Sequence, residues 1–347
     1  MGDSFVRSDG PGKHDIGKEE IIVDTFRPED AEGIVSLFHA VYGDKYPIRL
    51  FYDPASIVAA NSDGRYYSIV ARTTSGKVIG VDHLFPSSTS SCLYEAGVGM
   101  VLKQYRNSGA NSRMLGFLYN DVALRIPRLE EIYGETVCNH PYMQKTVRGF
   151  KHVETAIQVA LMPAETYNKE NSTGGRVATL NLFRCYHPKP HRVFLPAAYE
   201  EVLRRIYKGL DDIRYLDESK EKIPRYAQSQ AQMSIYDFAG VARIAVESIG
   251  EEFRSYISDL EDEARGKNVV VFQVWLPATT PWIGQAVDNL RDEGYFFGGA
   301  LPRWFDGDGL LMQKLDCPPY FEGIVLESDF ARELLEVVKE DWKRVNP

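Results

Sequence analysis

A carboxylate, two glycines and a short polar turn stand together in one stretch of this sequence. Residues 95–112 read Glu-Ala-Gly-Val-Gly-Met-Val-Leu-Lys-Gln-Tyr-Arg-Asn-Ser-Gly-Ala-Asn-Ser. An apolar run with strand character precedes the turn, and Arg113-Met114-Leu115-Gly116-Phe117-Leu118 begins an apolar-rich helix after it. Successive backbone N–H groups in such a turn converge at the helix N-terminus, an arrangement that binds phosphate through fixed dipoles whatever the side chains are. No Gly-Lys-Ser/Thr follows, which argues against a Walker-type loop, and the Gly-x-Gly-x-x-Gly spacing of dinucleotide-binding turns is absent. On a regular strand Glu95, Gly97, Gly99 and Val101 share one face, so a carboxylate stands beside two residues without side chains, and a groove is expected there.

The flanking segments supply the elements that would hold this stretch. Residues 21–26 read as a first strand. Arg27-Pro28-Glu29-Asp30 opens a helix, with the proline suited to its first turn and the acids to its positive end. Ile34, Leu37, Phe38 and Val41 then fall on one helical face. A short helix is expected over 54–60. Strands over 66–73 and 78–85 are joined by the turn Thr74-Ser75-Gly76-Lys77. The strand over 92–102 leads into the polar turn, and a helix follows over 111–125. Next come a strand over 131–138, a helix over 141–148 closing on Gly149-Phe150, and a strand over 154–162. A polar, Gly-rich connection over 163–175 leads to a strand over 177–186.

The order β-α-α-β-β-β-turn-α-β-α-β-β, with Arg106-x-x-Gly109-x-Asn111 in the turn, resembles the GNAT superfamily of acyl-CoA-dependent N-acyltransferases. The loop of that superfamily reads Gln/Arg-x-x-Gly-x-Gly/Ala, and Asn111 departs from it at the last position. The resemblance covers about residues 20–187. It implies acetyl-CoA as acyl donor, with Gly99, Met100 and Val101 bonding the pantetheine. Arg106, Asn107, Ser108, Gly109, Ala110, Asn111 and Ser112 would hold the pyrophosphate, and Asn139 the cofactor amide. Glu95 stands where several relatives keep a catalytic glutamate. Two readings follow: a general base, direct or through water, or a glutamate on a half-exposed strand that serves as a salt-bridge partner. Relatives often carry a general-acid tyrosine about four residues before the helix-ending glycine. Here that place holds Lys145, beside Thr146. Tyr142, one turn earlier, is the nearest substitute and His140 the next; the competing reading of Tyr142 is an aromatic packed on the sheet. His83 reads first as a core or surface histidine, and only second as a lining of the acceptor side.

The second half repeats part of this pattern. His187-Pro188-Lys189-Pro190-His191 reads as a stiff break, and the domain boundary is placed there. Beyond it, strand–Pro141–helix–Gly149-Phe150–strand–Leu161-Met162-Pro163–loop–strand is matched by strand–Pro281–helix–Gly294-Tyr295–strand–Ala300-Leu301-Pro302–loop–strand, an internal repeat. The expected fold class is therefore α+β (α/β), with two tandem GNAT-like domains, each a mixed, mostly antiparallel sheet flanked by helices. A mobile tail over 1–19 precedes an acyl-CoA-binding domain over 20–187 and a degenerate GNAT-like domain over 188–347. At the second phosphate-loop position the chain reads Ser248-Ile249-Gly250-Glu251-Glu252-Phe253. Carboxylates there suit a helix N-terminus but repel a pyrophosphate, so only the first half is expected to bind coenzyme A.

Composition bounds the rest. The 347 residues suffice for about two domains, and 44% are hydrophobic, enough for real cores. The net charge of −9 argues against a nucleic-acid partner. Cys92, Cys138, Cys185 and Cys317 show no Cys-x-x-Cys spacing, and three lie in apolar runs, so buried thiols, a reducing cytoplasm and no metal are expected. His187 and His191 have no carboxylate at metal spacing. The acidic run Asp259 to Glu263 reads as a solvated helix face. No signal peptide or long apolar run is present, and no membrane association is expected. The expected activity is N-acetyl (acyl) transfer from acetyl-CoA to a small-molecule or peptide amine by direct attack. The rival reading is a non-catalytic acyl-CoA sensor or scaffold, and a third is binding of another phosphorylated ligand. Acceptor and oligomeric state are left open.

Overall fold

The computed structural model describes residues 20–86, 90–164, 174–305 and 307–347. The tail expected over 1–19 and most of the connection over 163–175 lie outside these residues. The chain forms two compact units: Val98–Leu118 together with the chain up to His83, and Leu84–Gly97 together with Tyr119–Pro347. This division does not fall at residue 187. No helix among the described residues is long and apolar enough to cross a membrane.

The first unit follows the expected order. It holds β1 (Ile21–Thr25), α1 (Ala31–Tyr42), α2 (Pro54–Ser62), β2 (Tyr67–Thr73), β3 (Val78–Pro86), whose last residues enter the second unit, and the end of β4 (Leu93–Val101), then α3 (Ala110–Phe117). β1 and β2 are antiparallel, and β3 and β4 follow in the sheet. Ile34, Leu37 and Phe38 of α1 are buried as their spacing predicts, and the Phe38 ring stacks on Phe51 at 4.5 Å. Asp30 does more than suit a helix end. It accepts the Arg27 N–H (2.7 Å) and pairs, buried, with Arg72 of β2. Asp53 caps α2 through the Ser56 N–H at 3.0 Å, with Pro54 in the first turn.

The second unit contains β5 (Glu131–Val137), α4 (Tyr142–Arg148), β6 (Val153–Met162), β7 (Val177–Cys185), β8 (His191–Leu195), α5 (Glu200–Lys208) and β9 (Arg214–Glu218). It continues with β10 (Gln230–Tyr236), β11 (Val241–Ser248), α6 (Phe253–Arg265), β12 (Val271–Pro277), α7 (Ile283–Asp292), β13 (Phe296–Leu301), β14 (Gly309–Leu315) and α8 (Asp329–Val345). From the first part of β4 its strands lie in the order β4-β5-β7-β6-β13-β14-β12-β11-β10, while β8 and β9 form a separate parallel pair. The runs β4-β5-β7-β6 and β11-β12-β14-β13 have the same pairings, a parallel step followed by two antiparallel ones. They meet where β6 and β13 pair antiparallel, Ala156 opposite Gly299. Two equivalent strands paired antiparallel are related by a local twofold axis. The repeat read from Pro141 and Pro281 is thus visible in the strand order.

Some expectations fail in detail. The helix expected over 111–125 is regular only to Phe117; a wide turn, Leu118–Val122, and a 3-10 turn, Ala123–Arg125, follow. The Tyr119 carbonyl in that wide turn accepts the Tyr186 hydroxyl at 2.9 Å. A strand not expected from sequence, β8, begins at His191, the last residue of the Pro-x-Pro segment. Glu261, expected on a solvated face, is 3% exposed and accepts from Arg265 and Lys314, each at 2.8 Å. Of the thiols only Cys138 is buried; Cys92, Cys185 and Cys317 are half-buried.

Candidate functional site

The polar turn of the first unit has the backbone its residues suggest. Asn107 and Gly109 take left-handed φ values of 70° and 81°. Gly109 is the residue from which α3 starts, and asparagine and glycine tolerate that region at least cost. Arg106, Asn107, Ser108, Gly109 and Ser112 are exposed, Asn111 is half-buried, and Ala110 is buried against the core. The Ala110 N–H points to Ser108 Oγ at 3.3 Å. Asn111 at the place of a family glycine or alanine therefore does not prevent the turn. The result is a helix start whose turn, Arg106 to Gly109, is exposed.

The expected groove beside the two glycines is not an empty one. Val98 adopts φ 56°, a strained value for a β-branched residue, and the regular alternation of β4 breaks there. A Cβ on Gly97 would stand 2.9 Å from Glu95 Oε1, and a Cβ on Gly99 only 1.7 Å from Asp82 Oδ1. Both missing side chains thus make room for carboxylates. Asp82, a lone acid in the apolar strand β3, is 3% exposed, and burial raises its pKa well above the ordinary value. No donor among the described residues reaches its Oδ2. Gly99 itself is exposed, Met100 is buried in the core and Val101 is half-buried. Gly99→Ala should therefore lower stability by about 1–3 kcal/mol, the usual cost of overpacking. Asp82→Ala in the same chain should restore the melting temperature, and an unchanged melt of the single variant would show that Asp82 simply moves aside. His83, next in the strand, is a core residue, 0% exposed and 2.7 Å from Ser68 Oγ.

In the second unit Glu95 is half-buried and accepts the Tyr133 hydroxyl on Oε2 at 2.9 Å. The parallel β4–β5 ladder ends at this pair, whereas β5 stays paired with β7 through Val137. Tyr133 is 2% exposed and packed against Phe183 and Trp304 (ring centres 5.5 and 5.0 Å), so its hydroxyl is fixed in direction. Beyond β5, Asn139 and His140 are half-buried. Tyr142 is 74% exposed, not packed on the sheet, with its ring 5.2 Å from that of His140. Lys145 is exposed. The structure thus brings Tyr142 and His140 together at the start of α4, and Tyr133, which sequence reasoning missed, to Glu95. Tyr133 gave no signal because its partner Glu95 lies 38 residues away in sequence.

The corresponding turn of the second run is closed. Four residues, 249–252, separate β11 from α6, against eight, 102–109, between β4 and α3. Ile249 and Gly250 are buried. A Cβ on Gly250 would stand 2.5 Å from the Ala227 carbonyl, and its N–H is taken by Ser229 Oγ at 2.9 Å. Glu252 accepts the Ser229 N–H at 2.5 Å. The chain before β10, Ala227 to Ser229, packs directly on this turn.

A third cluster in this unit carries buried charge. Asp308, fully buried, lies 3.0 Å from His191 Nε2 and accepts Arg214 Nε at 2.5 Å. Burial alone would raise its pKa, but Arg214 and His191 outweigh that and hold it below the carboxylate range. Arg303 donates twice to Asp212, at 2.7 and 3.1 Å. His191, read from sequence as a linker residue without a carboxylate partner, thus belongs to an ion-pair network. Beside it Glu131 is 0% exposed, and neither oxygen meets a donor among the described residues. Burial pushes its pKa up to about 8, with Arg214 pulling the other way. Ligand atoms of Glu131, Cys185 and Asp212 lie within 4.8 Å of one another. Asp212 is already saturated by Arg303 and by the Lys189 and Ile213 N–H groups, each of these two at 2.8 Å. A metal ion would share the space with two guanidinium groups, so the cluster reads as structural.

No family profile matches the sequence, and no curated protein matches it. Solved structures of GNAT acetyltransferases are similar in fold over about half of the chain. Spermidine/spermine N-acetyltransferase from Vibrio cholerae is 14% identical, with 48% of this chain and 95% of that one covered and a TM-score of 0.38. The ribosomal-protein-S18-alanine N-acetyltransferase from Escherichia coli is 12% identical, with 49% and 96% covered and a TM-score of 0.38. An N-acetyltransferase from Staphylococcus aureus Mu50 is 10% identical, with 48% and 98% covered and a TM-score of 0.38.

Proposed function

We propose that this protein is an acyl-CoA N-acyltransferase that moves an acetyl group from acetyl-CoA to a primary amine of a small molecule or peptide. The observation that carries the reading is the exposed turn at Arg106–Ser112, with two left-handed residues before a helix start. That backbone fits a diphosphate, and the closed turn at 249–252 does not, so one donor site per chain is proposed, within a tandem of GNAT-like halves. Arg106 to Ser112 would hold the pyrophosphate, Gly99 to Val101 the pantetheine and Asn139 the amide. The bound donor would supply a thioester carbonyl. Glu95 takes the proton of the incoming ammonium, directly or through a water, and the Tyr133 hydroxyl on Oε2 fixes the orientation of that carboxylate. The exposed Tyr142 and the half-buried His140 beside it are the proposed proton donors to the departing sulfur.

The test is calorimetric titration with acetyl-CoA followed by a thiol-release assay over a panel of amines. Arg106 is exposed, so Arg106→Ala should leave the melting temperature unchanged. It should weaken acetyl-CoA binding about tenfold, the scale of one lost charge-assisted hydrogen bond. Lys145, at the place of the usual acid, favours the second reading, an acyl-CoA sensor. Binding without thiol release on any amine would select the sensor, and absence of binding would overturn both.

A further inference from the structure

Among the described residues of the first unit, the Asp82 carboxyl stands out by what it lacks. It lies in β3, 3% exposed, and its Oδ2 is buried with no donor. The next residue, His83, falls on the opposite face by strand alternation and has a place in the core. Its ring packs 4.8 Å from that of Phe51, and its Nδ1 meets Ser68 Oγ at 2.7 Å. A buried carboxyl without a partner costs free energy, so its retention calls for a use outside the fold's own contacts.

The other oxygen shows where that use lies. Gly99 of the neighbouring strand β4 is exposed, and a Cβ there would stand 1.7 Å from Asp82 Oδ1. Oδ1 therefore fills the place of a missing side chain at a position open to solvent. Val98, just before it, holds φ 56°, and backbone strain of this kind clusters at sites that bind or react. Two residues back along β3, Gly80 shares the face of Asp82. A Cβ on Gly80 would stand 3.0 Å from Met114 Cε and 3.1 Å from the Met100 carbonyl. Met114 belongs to α3, so Asp82 lies on the sheet face that carries α3 and the turn from which it starts.

This placement meets the proposed donor at its reactive end. In that reading the pyrophosphate lies at Arg106–Ser112, and the pantetheine runs back along β4 from Val101 to Gly99. Gly99 is the end of the run farthest from the phosphates, where the thioester follows. We infer that Asp82 is a catalytic residue of the transfer: its carboxyl O–H donates, through the gap at Gly99, to the carbonyl oxygen of the bound thioester. This rests on the assignment of Gly99–Val101 to the pantetheine. As the amine adds to the carbonyl carbon, negative charge gathers on that oxygen. A neutral acid held beside it bonds more strongly as the charge grows, which lowers the barrier without a proton changing hands. Burial raises the Asp82 pKa well above its ordinary value and so favours the neutral acid, the form that can donate.

The experiment titrates the full chain with acetyl-CoA and, separately, with free CoA, which lacks the carbonyl. Wild type should bind acetyl-CoA about fivefold more tightly than CoA, the scale of one neutral hydrogen bond. D82A should lose that preference with CoA affinity unchanged, and its kcat should fall about 10²- to 10³-fold, the usual effect of removing one oxyanion donor. D82N keeps the shape and an N–H donor and should restore most of both. The infrared carbonyl band of bound [1-13C]acetyl-CoA should lie below that of the free thioester in wild type and D82N, and return to it in D82A. Should D82A fail to fold, D82L, which fills the volume without a donor, is read in its place. A preference and a band that stay unchanged in a folded D82A or D82L overturn the inference while leaving the donor site in place. Absence of binding of either ligand to wild type overturns the donor reading, and the inference with it.

Discussion

Glu95→Gln should leave acetyl-CoA binding unchanged and lower turnover by about 10²- to 10⁴-fold, the range that a positioned general base contributes. The substitution is nearly isosteric. The amide oxygen of glutamine still accepts the Tyr133 hydroxyl that now bonds Oε2 at 2.9 Å, so the side chain keeps its place and the fold its stability. What is lost is the capacity to take a proton. An amine acceptor arrives at neutral pH as an ammonium, which is no nucleophile, so the loss falls on kcat/KM for the amine and not on the donor. The donor's phosphates are proposed to lie on the turn Arg106–Ser112, which includes neither Glu95 nor its hydrogen-bond partner Tyr133. Steady-state kinetics with both substrates varied, set beside calorimetric titration of acetyl-CoA, separates the two effects. A variant that turns over at the wild-type rate leaves Glu95 as a strand-face carboxylate held by a tyrosine, and the base must be sought elsewhere.

The parts of this arrangement that sequence shows are local ones. Proline at 28, 54 and 141 marks helix starts, and the 3.6-residue spacing of Ile34, Leu37 and Phe38 marks a buried face. The repeat around Pro141 and Pro281 anticipates the twofold strand order, because each copy must bury the same elements in the same sequence. What stayed hidden depends on distance along the chain or on strain. Tyr133 and Glu95 are 38 residues apart, and His191 and Asp308 are 117, whereas hydrophobic periodicity reaches over about 11–18 residues. Val98 is a residue type that avoids positive φ, so nothing in its identity announces the break in β4 that separates Glu95 and Gly97 from Gly99. Strand β8 lay behind a Pro-x-Pro segment that reads as a linker. Asp82 gave one usable signal, a single acid within the apolar run Val78–Phe85, and the structure explains it through the absent side chain of Gly99.

Glu131→Gln should stabilise the protein at alkaline pH and do little in acid. Burial is the main cause: the folded chain holds the Glu131 proton up to about pH 8, against an ordinary value of 4.5, with Arg214 and Arg303 opposing the shift and Asp308 and Asp212 adding to it. Below pH 4.5 both folded and unfolded chains carry the proton, and the site favours neither. Between 4.5 and 8 the unfolded chain has released it while the folded chain retains it, so folding must take up a proton and stability falls as pH rises. At about 1.4 kcal/mol per pH unit, a window of this width corresponds to about 5 kcal/mol by about pH 8. Glutamine reproduces the neutral carboxyl in shape and charge and removes that dependence. Thermal unfolding of both chains from about pH 5 to about pH 8 measures it, with the melting temperatures expected to diverge as pH rises. The network of Asp308, Asp212, Arg214 and Arg303 already balances its own charges, so an ionised Glu131 would add a surplus negative charge to a buried site. If the two curves instead stay parallel, Glu131 is ionised in the folded chain and pairs with Arg214, whose Nη1 meets no acceptor among the described residues. In that case the glutamine variant should be the less stable one throughout, because it would strand a buried guanidinium.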